Sequence, residues 1–78
     1  MNEKIILDKL TERRFSPFMI VTNAGDRYEV RHPEFVQVTP RHLYVFPPAG
    51  QGRLAREPSI IGLRNVSAIE PLPEGEAA

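Results

Sequence analysis

The sequence predicts an α+β, mostly β domain: one N-terminal helix followed by a strongly bent five-stranded antiparallel sheet or small barrel. Three observations carry this. Apolar residues recur at helical spacing only near the N-terminus, in Ile6, Leu7 and Leu10. After Pro17 the chain breaks into short runs of β-branched and aromatic residues, separated by turn signals at intervals of about 8–12 residues. Finally, 78 residues allow one domain, and with no cysteine neither a disulfide nor a thiolate metal site reinforces it.

The helix is expected over residues 3–14. Asn2 suits the N-cap, and Glu3 sits in the first turn, where the helix dipole favours an acid. Arg13 and Arg14 suit the last turn, and Ser16 is pushed out of helical geometry by Pro17. Leu7 and Leu10 are expected to pack on the sheet, because so short a helix is marginal without tertiary contacts.

The first strand is expected in Phe18-Met19-Ile20-Val21-Thr22, apolar on both faces. Asn23-Ala24-Gly25-Asp26 forms a turn, and Gly25 is free to take a positive φ. Arg27 to Arg31 alternates polar and apolar and completes a hairpin. His32-Pro33-Glu34 interrupts the pattern, since proline donates no hydrogen bond inside a sheet. Strands resume in Phe35–Val38, in His42–Phe46, around Ser59–Gly62, and from Val66 to Glu70. The loop Pro47–Gly52 and the turn Leu63–Asn65 connect them. The domain therefore covers residues 1–72, with 73–78 a disordered acidic tail.

Two resemblances follow. Pro17-Phe18, then Asn23 to Val30, then His32-Pro33-Glu34-Phe35-Val36 resemble a widespread group of short, uncharacterised bacterial proteins. The likeness covers about residues 5–70 and implies no activity. The order of elements is also similar to the Sm-like fold, and Ile61 to Ile69 echoes its second motif. That likeness implies a small Sm-like barrel, rings made by pairing terminal strands, and RNA binding. Glu34-Phe35-Val36-Gln37 stands where Sm proteins carry a uracil-holding acid or asparagine.

Charge is uneven although the formal net charge is zero. Residues 1–12 carry −1, residues 13–64 carry +4 with all eight arginines, and residues 65–78 carry −3. The arginine-bearing surface is placed at Arg27, Arg31, His32, Arg41 and His42, where arginine neighbours aromatic rings as in single-stranded nucleic-acid binders. Strand alternation turns Tyr28 away from Arg27 and Arg31, and near-neutral overall charge weakens a phosphate-binding role.

No catalytic constellation is visible. Ser16, Ser59 and Ser67 lie in no nucleophile elbow. His32 and His42 do not have metal-ligand spacing. Gly50-Gln51-Gly52 lacks the lysine and hydroxyl residue of a phosphate loop. The expectation is a non-enzymatic protein without catalytic, metal-ligating or cofactor-binding residues, and without a small-molecule substrate. No leader or membrane span is read at the N-terminus, and a cytoplasmic location is expected. Its expected role is protein interaction or assembly, by self-association or docking on a larger protein; single-stranded RNA is the alternative partner. The interaction edge is placed at Ile60, Ile61 and Leu63. No charge guards Pro58 to Leu63, and alternation sends the two isoleucines to opposite faces.

Overall fold

The structure is a computed structural model and describes residues 1–47 and 57–72. Most of the loop expected at Pro47–Gly52 and all of the tail expected at 73–78 lie outside the described residues.

The helix α1 spans Glu3–Leu10. The Asn2 side chain accepts from the Lys4 N–H at 2.8 Å and satisfies one of the open donors of the first turn. It ends four residues earlier than the sequence predicts, with Thr11 as its C-cap. Its N–H and its hydroxyl both donate to the Leu7 carbonyl, at 3.0 and 2.8 Å. Residues 11–14 are all exposed, so continuing the helix through them would bury nothing.

The buried stripe of α1 also differs from expectation. Ile6 is fully buried and Leu10 packs at the edge of the core, whereas Leu7 is 43% exposed. Ile6 and Leu10 are four residues apart and share a helix face, and Leu7 lies about 100° further round. The helix packs against the strand Val36–Val38.

Among the described residues six strands follow, in two three-stranded antiparallel sheets. They are β1 (Phe18–Thr22), β2 (Arg27–Val30), β3 (Val36–Val38), β4 (His42–Val45), β5 (Ser59–Gly62) and β6 (Val66–Pro71). One sheet has the order β2-β1-β6 and the other β3-β4-β5. The fold is thus α+β and mostly β, as expected, with its strands divided between two sheets. The division falls at Pro33–Phe35, a 3-10 turn with Pro33 in its first position, where the missing N–H is not needed. A second 3-10 turn, Leu63–Asn65, joins β5 to β6.

Strand alternation builds the core. In β1 the side chains of Phe18, Ile20 and Thr22 are buried, and Met19 and Val21 on the other face are half-buried. Register sets Phe18 opposite Val30 in β2 and Ile20 opposite Ile69 in β6. Leu43 and Val45 of β4 face inward, with Leu43 opposite Ile61 of β5. Ile6, Phe18, Ile20, Val30 and Leu43 are the largest fully buried side chains, so the helix and both sheets share one core. The turn between β1 and β2 uses Gly25 at φ 91°, a conformation natural to glycine. Thr22, the buried polar residue beside it, accepts from the Asp26 N–H at 3.1 Å.

Candidate functional site

Two features stand out on the surface: the outer strand β5 and a groove beside it. In its sheet β5 pairs only with β4, so the other backbone edge has no partner strand among the described residues. Alternation along β5 divides its two isoleucines as expected. Ile61 is 6% exposed and enters the core, and Ile60 points outward with 62% exposed, the most open large apolar side chain among those described. Leu63, expected at the interaction edge, is 4% exposed and belongs to the core. It lies two residues beyond Ile61, so it takes the same inward face as Ile61, here at the start of the 3-10 turn.

The groove holds about 850 Å3 and lies where the β3–β4 turn meets the β5–β6 turn. Arg41 and His42 line it from the first turn, and Arg64 and Asn65 from the second. Register brings them together: His42 pairs with Gly62, and the Leu63 N–H donates to the Arg41 carbonyl at 2.9 Å. Met1 lies along the same groove, its nitrogen donating to the Leu63 carbonyl at 3.1 Å. Thr39 fixes the first turn, its hydroxyl accepting from the His42 N–H at 3.0 Å. Among the described residues no carboxylate lines the groove, and neither Arg41 nor Arg64 makes an ion pair.

The second turn is anchored from the opposite sheet. The Asn23 N–H donates to the Asn65 carbonyl at 2.8 Å, and the Asn23 side-chain amide donates to the Arg64 carbonyl at 3.3 Å. Gly62 permits a close approach here. A Cβ at that position would stand 3.2 Å from the Asn65 side-chain nitrogen.

The five residues expected to form one polar surface therefore separate. Arg41 and His42 reach the groove. Arg27 pairs with Glu70 at 3.2 Å, and Arg31 pairs with Glu29 at 2.9 Å, so both are neutralised on the sheet. His32 stands edge-on to Phe35 with ring centres 5.3 Å apart, beside a shallow hollow of about 270 Å3. Arg64 is the residue that sequence reading missed. Its signal was its place in a turn between two strands, as with Arg41; that the two turns meet follows only from the β4–β5 register.

Among the described residues no three histidine or acidic side chains converge as a metal site needs. No helix there is long and apolar enough to cross a membrane. Compared with protein families, curated proteins and solved structures, the chain matches none.

Proposed function

We propose that this chain is a non-enzymatic assembly module that pairs through β5 with a second copy or a larger protein. The observation that carries this is Ile60, 62% exposed on a strand whose outer edge has no partner strand among the described residues. Natural proteins guard such edges with charge, proline or a bulge. Here no charged residue occurs from Pro58 to Leu63. An added strand would satisfy the open N–H and C=O groups and cover Ile60. β6, like β2 and β3, is also outermost in its sheet among the described residues, so β5 of one copy could pair head to tail with β6 of the next. Light scattering over a concentration series tests this. The wild type should exceed the mass of one chain, and Ile60→Lys should return it to one chain with an unchanged circular dichroism spectrum. A wild type that stays monomeric at high micromolar concentration, and captures no protein from its own cell extract, removes the reading.

A second reading, an Sm-like single-stranded RNA binder, is favoured by the groove at Arg41 and Arg64. Two arginines that line one groove and make no ion pair among the described residues suit phosphate oxygens. The order of elements, one helix before short antiparallel strands, is compatible with that reading, although the strands lie in two three-stranded sheets divided at Pro33–Phe35. A salt-dependent anisotropy change with single-stranded RNA, lost in Arg41→Ala/Arg64→Ala, supports this reading, and no binding at low salt removes it.

A further inference from the structure

Opposed residues of an antiparallel pair alternate between those that exchange backbone hydrogen bonds and those that do not. The Leu63 N–H donates to the Arg41 carbonyl at 2.9 Å, which makes Arg41 and Leu63 a bonded pair. By alternation along the register, Leu43 bonds Ile61 and Val45 bonds Ser59. Tyr44 is turned to β3 instead, as the bonds from the Thr39 N–H to the His42 carbonyl and from the Phe46 N–H to the Phe35 carbonyl require. The N–H and C=O groups of Ile60 and Gly62 therefore point away from β4, to the side where no strand pairs among the described residues. Pro58 offers a carbonyl on that side and no N–H. The edge is also accessible: the groove and a hollow of about 380 Å3 both have Ile60 and Gly62 in their walls. Ile60 thus joins open backbone groups to a side chain 62% exposed. That side chain stands beside Tyr44 on the outer face of its sheet, and β3, β4 and β5 contain no Asp, Glu, Lys or Arg.

We propose that β5 pairs with β5 of a second copy, antiparallel, across a two-fold axis that passes through Ile60. The proposal rests on the assembly reading and adds to it the partner and the geometry. About that axis Ile60 lies opposite Ile60 of the second copy, and each N–H donates to the other's carbonyl. Gly62 lies opposite Pro58 of the second copy, and its N–H donates to the proline carbonyl. Every open N–H of the edge then finds an open carbonyl, and the N–H that Pro58 lacks leaves only the Gly62 carbonyl to water. The two exposed isoleucines become a cross-strand pair on one face, with Tyr44 of each copy beside them. A two-fold contact presents the same surface from both sides, so it must tolerate itself. Three strands without a charged side chain meet their own copy without like-charge repulsion. Pairing with β6 would instead bring Ile60 to a strand that carries Glu70 and ends in Pro71, which has no N–H to give.

Light scattering on the full chain, combined with disulfide trapping, tests the proposal. The wild-type mass should level off at two chains as concentration rises. The chain has no cysteine, so Ile60→Cys carries a single thiol. At the axis that thiol faces its own copy, with Cα atoms about 5.5 Å apart, within disulfide reach. Mild oxidation should convert most of Ile60→Cys to a covalent dimer and leave Gln37→Cys, exposed on β3 of the same sheet, largely as single chains. Gly62→Pro keeps a φ that suits proline, −66°, and loses only an N–H that β4 does not use. It should return the mass to one chain with an unchanged circular dichroism spectrum. A folded Gly62→Pro that stays a dimer overturns the pairing. A mass that climbs past two chains, or an Ile60→Cys yield no higher than that of Gln37→Cys, overturns the two-fold axis and leaves assembly through β5 standing. A wild type that stays monomeric at high micromolar concentration but captures a protein from its own cell extract overturns the second copy and leaves the larger partner. A monomer that captures nothing overturns both readings.

Discussion

Asn23 holds Asn65 across the gap between the first hairpin and the β5–β6 turn, through a backbone hydrogen bond of 2.8 Å. A second bond, from the Asn23 amide to the Arg64 carbonyl at 3.3 Å, reinforces it. Asn23→Ala removes only the second. That bond is exposed, so the expected loss is about 0.5–1.5 kcal/mol in urea unfolding. A loss above 3 kcal/mol would mean that the whole turn detaches with the side chain.

Truncating the helix should distinguish its two faces. Ile6 is fully buried, and Ile6→Ala should cost about 2–5 kcal/mol. Leu7 is 43% exposed, and Leu7→Ala should cost clearly less than Ile6→Ala, about 1 kcal/mol. Thermal melts of the two variants side by side decide the point. Equal destabilisation would contradict the packing of α1.

The two described glycines outside the loop should behave differently. Gly25 has open space around it but a φ of 91°, so Gly25→Ala should lose about 1–2 kcal/mol to backbone strain alone. Gly62 has an ordinary φ of −66°, and its added Cβ would meet only the mobile end of Asn65. Gly62→Ala should therefore change stability by less than about 1 kcal/mol and show itself as a displaced Asn65 side chain in amide NMR spectra.

The pair of Arg27 and Glu70 reaches from β2 to β6 across β1, with both side chains about half exposed. A double-mutant cycle to alanine should give a coupling of about 0.2–1 kcal/mol that disappears in molar salt. A larger or salt-resistant coupling would mean that the pair is shielded from solvent.

Local patterns in the sequence carried most of the fold. The Phe18–Val30 hairpin, its glycine turn and the opposed isoleucines of β5 all follow from alternation and turn chemistry, which act over a few residues. The end of α1 did not, because residues 11–14 are all exposed and gain no packing from a further helical turn. Leu7 was misplaced because a two-turn helix leaves the angle of its apolar stripe to the surface it meets. The groove was half legible. Arg41 and His42 stood out beside aromatic residues, but Arg64 joins them only through the pairing of His42 with Gly62, twenty positions along the chain.

The turn at Leu63–Asn65 is tied to both sheets: Leu63 bonds Arg41 beside β4, and Asn65 bonds Asn23 beside β1. The two sheets therefore do not open independently at this end. Any fluctuation that frees the turn exposes the Leu63 and Asn23 amides together, and native-state hydrogen exchange should give them one shared opening free energy. Denaturant should move the two in parallel, making this short turn the point where two local unfolding units become one.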